Sequence, residues 1–323
     1  MKLNNIPLFA KLSNSNSKNI LISGCGGGFD IFTGIPLYFS LKDNYNVYLS
    51  NYSFVKNLSD SNAKKITSQC YEIKANTKIN GESNYFPEKY LCSWFQKNNI
   101  DISIYCFNKT GVIPLIQAYN EIINIHNIDT IILVDGGTDS LMKGNEESLG
   151  SPCEDLTSIV AVNHIKNVNK FLVCLGFGVD KFHGINHYLF LENVSSLITS
   201  NGFYGVFTLL KEMDEYRKYK DALNYVYKFM SQGSIVNSSI CDAIDGHFGD
   251  YHSIKRTKNS KLFINPLMSM YWCFDLECVA NNCLYSKELL NTKTYHDVQV
   301  IIWKFCDKMN KENKIRLAQI MDL

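Results

Sequence analysis

Three aspartates follow two long apolar runs of the sequence, at positions where their side chains could do chemistry. Asp135 and Asp139 flank Gly136-Gly137 after the most apolar run, and Asp180 follows a later one. Carboxylates at such positions hold Mg²⁺, accept hydrogen bonds from sugar hydroxyls or act as general bases. The alternative is that Asp135 accepts hydrogen bonds from the amides of its own loop. Two acids around two glycines exceed what a turn requires, so we predict that Asp135, Asp139 and Asp180 are catalytic.

A cluster of glycines follows another apolar run, at residues 20–23, and ends at Asp30. Its four glycines are Gly24, Gly26, Gly27 and Gly28. Glycine reaches positive φ and leaves its backbone N–H uncovered, so a phosphate or carboxylate can approach closely. We predict that this loop, with Asp30, binds an anionic ligand; the alternative is a tight strand-to-helix turn without a ligand. Five residues of the later loops are assigned to the same ligand: Gly136, Gly137, Thr138, Gly176 and Gly178.

The glycine cluster agrees only in part with two known fingerprints. The dinucleotide pattern G-x-G-x-x-G matches at Gly24 and Gly26 but has Phe29 at its third glycine position. Asn51 stands where the ribose-binding acid is expected. The G-x-G-x-G pattern of S-adenosylmethionine-dependent methyltransferases also matches at Gly28, although it lacks the same acid. Hydride transfer is therefore disfavoured, and a methyltransferase stays open as an alternative.

Three carboxylates are candidate metal ligands: Asp139, Asp155 and Glu146. Ser151, Pro152 and Glu154 have the spacing of a helix capping box, which predicts a structural role for Glu154. Asp155 suits the same positive helix end and also lies where it could face a ligand. Mg²⁺ is the candidate cofactor, and the sequence leaves the identity of the metal open.

Two histidines follow Asp180 with the spacing D-x2-H-x3-H, at His183 and His187. On a regular helix the two imidazoles would share a face and could bind Zn²⁺ or Fe²⁺. Gly184 disfavours such a helix, and histidines in loops are more often hydrogen-bonding residues. We include His183 among the predicted catalytic residues, as an acid or base.

Apolar runs that end in glycine loops predict the strands that position these residues. The runs at 20–23, 130–134 and 171–175 each precede such a loop, and helical patterns lie between them. In open α/β sheets the ligand lies beyond the carboxyl ends of parallel strands. The sequence therefore predicts an α/β, Rossmann-like three-layer fold with a mostly parallel sheet, in which the three loops converge on one crevice.

The chain divides into three predicted parts. Residues 1–18 are polar and are expected to form a flexible N-terminal segment, and residues 19–188 the Rossmann-like ligand-binding core. Residues 189–323 show helical spacing, for example at 189–199 and 209–230. This last part is expected to be mainly helical and to pack on the same core.

Composition limits the partners that this chain can have. A total of 32 Lys and Arg against 31 Asp and Glu gives a net charge of +1, which offers no general attraction for nucleic acid or an anionic membrane. The sequence has no secretion signal and no run of about 18 apolar residues. Eleven cysteines without a C-x-x-C pair argue against a disulfide framework. We therefore expect a cytoplasmic protein that binds a small molecule and acts as a monomer or homo-oligomer.

Three motifs together resemble those of a domain-of-unknown-function family with many archaeal members. They are the first glycine loop, the run D-G-G-T-D-S-L at 135–141 with Gly144, Glu146, Ser151-Pro152 and Asp155, and G-x-G-x-D at 176–180. The resemblance extends from about residue 20 to about residue 285 and implies kinship without an assigned reaction. The family favours Gly-Gly-Asp where this chain has Gly137-Thr138-Asp139. A Gly-Glu pair is replaced by Lys181-Phe182, so the third loop is expected to serve a different ligand.

These features favour an enzyme that binds a nucleotide or other phosphorylated small molecule and catalyses group transfer or hydrolysis. The glycine loops would hold the phosphate, and the aspartates would bind a metal or act as acid and base. The alternatives are an S-adenosylmethionine-dependent methyltransferase and a non-catalytic nucleotide or metabolite sensor.

Overall fold

The computed structural model describes residues 7–15, 17–56, 58–79, 85–146 and 148–310, without the side chains of His183 and Asn310. Its strands are β1 (Asn19–Gly24), β2 (Asn46–Tyr52), β3 (Lys64–Lys65), β4 (Cys70–Ile73), β5 (Ile104–Phe107), β6 (Thr130–Gly136), β7 (Asn169–Leu175), β8 (Phe203–Thr208) and β9 (Met270–Asp275). Its α-helices are α1 (Pro7–Asn14), α2 (Asp30–Thr33), α3 (Ile35–Leu41), α4 (Pro87–Lys97), α5 (Val112–His126), α6 (Pro152–His164), α7 (His187–Thr199), α8 (Asp214–Val226), α9 (Ile235–Ile244), α10 (Leu276–Asn282), α11 (Ser286–Leu289) and α12 (Tyr295–Asn310). Short 3₁₀ turns cover Leu58–Asp60, Asp139–Leu141, Val179–His183, Lys255–Thr257 and Pro266–Ser269.

The described strands form one nine-stranded sheet in the order β3-β4-β5-β2-β1-β6-β7-β9-β8. The five strands from β5 to β7 run parallel, and the strands outside them each pair antiparallel with their inner neighbour. From β1 the chain first adds β2 and β5 on one side, and later β6 and β7 on the other. The strand order therefore reverses between β1 and β6, which is where open α/β sheets form a crevice at the carboxyl ends of their strands.

Two hydrophobic cores cover the two faces of the sheet. Every residue of β6 is buried, and its side chains alternate: Ile132 and Val134 belong to one core, Ile131 and Leu133 to the other. Helices α1, α2, α3, α4, α8 and α9 bury apolar residues in the first core, and α5, α6, α7, α10, α11 and α12 do so in the second. The layers are therefore helix, sheet and helix, and the predicted α/β, Rossmann-like three-layer fold is confirmed.

Two strands that the sequence did not predict extend the sheet in the C-terminal part. The edge strand β8 is partly exposed and shifts register between Phe203 and Gly205, so its residues show no clean alternation. Strand β9 places Trp272 and Cys273 in the sheet. The helix predicted at 209–230 is shorter, since α8 begins only after β8 and the turn that follows it.

The N-terminal segment, which the sequence predicts to be flexible, contains a helix in its described part. Helix α1 buries Leu8 and Leu12 completely against the first core. The Phe9 ring centre lies 5.4 Å from that of Phe207 in β8. Helix α1 therefore packs on the edge of the sheet: its apolar residues have helical spacing, which the polar composition of the segment concealed. Among the residues described, no helix combines the length and apolar character that a membrane crossing needs.

Candidate aspartate-lined active site

A cavity of about 170 Å³ opens beyond the carboxyl ends of β1, β6 and β7, at the reversal of strand order. Its wall contains the first glycine loop, the loop after β6, the first turn of α6 and the start of α9. Five aspartates line it: Asp30, Asp135, Asp139, Asp155 and Asp180. Each of the three loops that the sequence predicts to converge contributes at least one of these carboxylates.

A larger cavity, of about 530 Å³, lies between α1 and the amino end of β7. The polar groups on its wall already serve the fold. The Tyr204 hydroxyl donates to Asp275 at 2.6 Å, and the Lys170 ammonium donates to the Asn163 carbonyl at 2.7 Å. Ligand sites of open α/β sheets lie at the other end of the strands, so the smaller, aspartate-lined cavity is the candidate site.

Three of the aspartates form a tight group, which we call the aspartate trio: Asp30, Asp135 and Asp155. Each contributes one carboxylate oxygen, and these three atoms lie within 4.8 Å of one another. They come from the start of α2, the end of β6 and the first turn of α6. Carboxylate oxygens are the ligands that Mg²⁺ and Ca²⁺ prefer. In the described part of the chain, the trio is the one set of three such groups close enough to hold a metal ion.

The trio is only partly satisfied by hydrogen bonds within the chain. Asp30 Oδ2 accepts from the Gly26 amide at 2.6 Å, and Asp135 Oδ2 accepts from the Ser140 hydroxyl at 2.5 Å. Asp155 is 2% exposed, and its Oδ1 has no hydrogen-bond partner among the described residues. A buried, unpartnered carboxylate oxygen is costly, which points to a ligand that the chain itself does not supply.

The carboxyls of the trio resist ionising together. The pKa of Asp30 is raised to about 8, mainly by burial and in addition by the neighbouring charges of Asp139 and Asp180. Burial, followed by the charge of Asp139, also raises the pKa values of Asp135 and Asp155 well above the usual range. At neutral pH the cluster must therefore hold protons or bind a cation.

The other two aspartates of the cavity are held by hydrogen bonds to neighbouring loops. Asp139 Oδ2 accepts from the amide and the hydroxyl of Ser151, at 2.9 and 3.0 Å. Asp180 Oδ2 accepts from the amide and the hydroxyl of Thr138, at 2.6 and 3.0 Å. Thr138, predicted to bind the ligand, thus positions Asp180 instead. These bonds fix the orientation of both carboxylates and join the three loops to one another.

Glycines around the cavity make room for carboxylates. A Cβ added to Gly26 would lie 2.5 Å from Asp155 Oδ1, and one added to Gly136 would lie 2.9 Å from Asp30 Oδ1. The same relation recurs in the other loops, which gives the pairs Gly26 with Asp155, Gly136 with Asp30, Gly137 with Asp180 and Gly150 with Asp139. These glycines therefore allow acidic side chains to approach the backbone closely.

The first glycine loop differs from the uncovered anion cradle that the sequence predicts. The amide of Gly26 donates to Asp30, and that of Gly28 donates to the Tyr52 carbonyl at 3.0 Å. A side chain on Gly24 would overlap Asn51. Because these two amides already have acceptors, neither is free to bind an anion.

Among the described side chains of the third loop, only that of Asp180 contributes to the cavity wall. Gly176 and Gly178, predicted to bind the ligand, have positive φ values of 110° and 84° and shape the turn that follows β7. A Cβ on Gly176 would lie 3.2 Å from the Ile240 side chain, so that glycine packs against α9. Their role in the structure is conformational, because only glycine adopts such φ values readily.

Glu146, a predicted metal candidate, is used by its own loop. Its Oε1 accepts from the Lys143 amide at 2.9 Å, and its Oε2 accepts from the Gly144 amide at 2.7 Å. The Asn193 side chain donates to Oε1 as well, at 2.9 Å. Glu146 lies outside the wall of the candidate site, and its contacts make it a structural residue.

The structure has Ser151 and Pro152 at the predicted start of α6, but the side-chain bonds of the predicted capping box are absent from the described residues. Ser151 is the N-cap residue, but its hydroxyl donates to Asp139 and makes no capping bond to the helix. Glu154 instead accepts from Lys109 Nζ at 2.6 Å and from the Tyr295 hydroxyl at 2.8 Å. Ser151 therefore orients a carboxylate of the cavity, although its spacing predicted only a local role at the end of the helix.

The predicted D-x2-H-x3-H group does not lie on one helix. Asp180 is in the 3₁₀ turn Val179–His183, and His187 begins α7. The side chain of His183 lies outside the described residues. The ring of His187 packs beside Tyr188, with ring centres 4.5 Å apart, and burial lowers its pKa. Of the two described side chains of this group, that of Asp180 lines the cavity.

The end of β2 carries a buried amide where nucleotide-binding folds often have a ribose-binding acid. Asn51 is fully buried, and its Nδ2 donates to the Gly28 carbonyl and to Glu88 Oε1, both at 2.9 Å. Burial raises the pKa of Glu88 to about 7. Asn51 therefore holds the glycine loop from behind and does not face the cavity.

Several residues of the cavity wall were missed by sequence reasoning. Phe54 and Tyr85 lie over Gly28, and Arg256 and the start of α9 complete the wall. Ser234 gave a usable signal, since a serine before an apolar run favours an N-cap, and its Oγ accepts from the Asn237 amide. Arg256 lies in a short exposed turn without periodicity, so nothing in the sequence placed it at the crevice.

Comparison with known families gives one match. The sequence model of a family described as "Protein of unknown function (DUF1152)" matches residues 55–310. The match covers well over half of the chain, starting after the first glycine loop and reaching the end of α12. No curated protein and no solved structure matches this chain.

Proposed function

Since this chain belongs to DUF1152, a family of unknown function, we propose a function from its own residues: an enzyme that acts on a nucleotide or other phosphorylated small molecule with the help of Mg²⁺. The reaction would be hydrolysis or transfer of a group at the phosphate. The observation that carries this proposal is the aspartate trio with its unpartnered, buried Asp155 Oδ1. Such a trio offers oxygen ligands and negative charge at the place where α/β sheets bind ligands.

The trio can hold a divalent cation between three elements of the fold. A bound Mg²⁺ would neutralise phosphate charge and draw the phosphate oxygens towards the carboxylates. Without it, five aspartates would repel a phosphate, because like charges in a partly buried site are poorly screened. The positive charge of the cation would thus offset the repulsion between the acidic cavity and an anionic substrate.

Asp139 suits the role of general base. Its carboxylate lines the cavity beside the trio, and Ser151 holds one of its oxygens in place by two hydrogen bonds. In this role Asp139 would accept the proton of the attacking water or hydroxyl group. Asp180, oriented in the same way by Thr138, would assist in binding the cation or the substrate.

The structure gives less support to the two alternative functions. A methyltransferase that binds S-adenosylmethionine would use an acid at the end of β2, and Asn51 there is buried behind the glycine loop. A non-catalytic sensor would bind the same phosphorylated ligands without turning them over. Turnover, measured as released phosphate or transferred group, separates the sensor from the enzyme.

The test starts with cation binding. We expect wild-type protein to bind Mg²⁺ or Mn²⁺ in calorimetric titration, and nucleotides and sugar phosphates to raise Tm only when the cation is present. Asp155→Asn should weaken Mn²⁺ binding at least tenfold, which corresponds to about 1.4 kcal/mol. Asp43→Asn is the matched control, because Asp43 is exposed and lies outside the cavity wall. Wild-type protein that binds no divalent cation, or a shift caused by S-adenosylmethionine alone, would remove the proposal.

A further inference from the structure

The wall of the cavity carries a positive side chain as well as the five aspartates. Arg256 lies at this wall, on the 3₁₀ turn Lys255–Thr257. Among the described residues, no ion pair joins Arg256 to a carboxylate; its Nη1 donates to the Gly233 carbonyl at 3.4 Å. A guanidinium beside five carboxylates, yet paired with none of them in the described part of the chain, is available to a ligand placed between them.

Helix α9 begins at the same wall. Ser234, Ile235 and Val236, its N-cap and first two residues, line the cavity. The Ser234 hydroxyl caps the Asn237 amide at 3.1 Å. The first amides of a helix lack acceptors within the helix, and the helix dipole is positive at this end. Both features favour a negatively charged group in the cavity.

The groups that line the cavity have opposite charges. The aspartate trio, with the unpartnered Asp155 Oδ1, supplies the negative groups, and Arg256 with the start of α9 supplies the positive ones. A cation at the trio and a phosphate in contact with both this cation and Arg256 would satisfy both sets of groups. The volume of about 170 Å³ suits the phosphate part of a substrate, and the remainder would extend through the mouth past Phe54 and Tyr85.

We propose that Arg256 is a specificity-determining residue that, with the N-terminus of α9, binds the substrate phosphate while the aspartate trio holds the cation. This inference rests on the function proposed above and adds the residue that selects a phosphate. Arginine suits the role because its planar guanidinium can donate two parallel hydrogen bonds to phosphate oxygens. Lysine would keep the charge and lose this paired geometry.

The test separates phosphate binding from cation binding. Calorimetric titrations with Mn²⁺ alone, and then with inorganic pyrophosphate at saturating Mn²⁺, are carried out on wild-type protein and on Arg256→Gln, Arg256→Lys and Lys258→Gln. We expect Arg256→Gln to weaken pyrophosphate binding at least tenfold and to leave the Mn²⁺ affinity within twofold of wild type. Arg256→Lys should lie between the two. Lys258 is exposed, lies two residues away and is outside the cavity wall, so Lys258→Gln should match wild type.

The outcomes distinguish this inference from the proposed function. If wild type and Arg256→Gln bind pyrophosphate equally well, the role of Arg256 is refuted while the cation site stands. If Arg256→Gln weakens Mn²⁺ binding to the same extent as pyrophosphate binding, Arg256 acts on the cation site and the inference is again refuted. If wild type binds neither Mn²⁺ nor pyrophosphate, the proposed function fails, and the role of Arg256 fails with it.

Discussion

In this crevice, each of several glycines lies in close contact with the carboxylate of an aspartate. The backbone at Gly26 approaches two carboxylates so closely that even a methyl group would displace them. The sequence predicted that these glycines and acids come together but did not predict their contacts, because a glycine that admits a ligand and one that admits a side chain look alike in a sequence. Asp30 and Asp155 were both singled out, yet only the fold shows that they meet.

Gly26→Ala should therefore damage the cation site and spare the fold. The added Cβ would lie 2.5 Å from Asp155 Oδ1 and 2.9 Å from Asp30 Oδ2, both at the ends of movable side chains. We expect Mn²⁺ affinity to fall at least tenfold, or about 1.4 kcal/mol, with little change in the circular dichroism spectrum. Gly202→Ala is the control, since its Cβ would meet Cys278 far from the crevice and should lower Tm without changing Mn²⁺ binding. Unchanged Mn²⁺ binding in Gly26→Ala would contradict the pairing.

Glu88 should make stability depend on pH. Burial raises its pKa from an unfolded value near 4.5 to about 7, so the folded protein holds this proton over a range where the unfolded chain has released it. The contribution of Glu88 to the free energy of unfolding is fully present below pH 4.5. It is lost as the pH rises through 7, by an amount of order 3 kcal/mol. Urea unfolding between pH 4.5 and 8 should show wild type losing stability relative to Glu88→Gln. Parallel stability curves for the two proteins would show that Glu88 does not titrate in this way.

Among the secondary structure elements, the parallel core was predictable and the edges were not. Strands β1, β6 and β7 are apolar runs ended by glycines, a pattern set by burial on both faces and by a turn at one end. Strand β8 is partly exposed, carries a register shift and lies at the edge, so no periodicity marks it. Helix α1 was missed because the segment around it is polar, and its contacts are with β8, which had itself been missed.

The docking of α1 gives a test at this scale. Leu12 is fully buried in the first core, whereas Ser13 on the same helix is exposed. We expect Leu12→Ala to lower the free energy of unfolding by about 2–5 kcal/mol, as is usual for a buried leucine. Ser13→Ala should stay within about 0.5 kcal/mol of wild type. A neutral effect of Leu12→Ala in urea unfolding would restore the expectation of a flexible N-terminal segment.

For the whole molecule, the reversal of strand order between β1 and β6 determines where the cavity lies. Sheet topology follows from which strands pair, and the sequence fixes this only through many weak preferences, so the order of the nine strands could not be derived from it. The convergence of the loops could be derived, because parallel strands that alternate with helices place their carboxyl ends at one edge.

A cation at the trio should stabilise the whole fold. Burial of three carboxylates that favour protonation opposes folding at neutral pH, and a cation bound only by the folded protein offsets this. At a Mn²⁺ concentration 100 times its Kd, the expected gain is about 2.7 kcal/mol, seen as a rise in Tm that EDTA reverses. At one fixed Mn²⁺ concentration, the gain should be larger at pH 8 than at pH 5, because protons compete with the cation for Asp30. A rise that is equal at both pH values would indicate binding elsewhere.

The origin of the three ligands in α2, β6 and α6 also restricts when a cation can first bind. Asp30 and Asp155 are separated by most of the parallel core, so a nascent chain that has emerged only as far as β5 possesses one of the three oxygens. Newly made protein would therefore capture its ion after α6 has been synthesised and has docked. An ion bound at the trio would then stabilise strands β1 to β6 after they have formed and would not initiate their assembly.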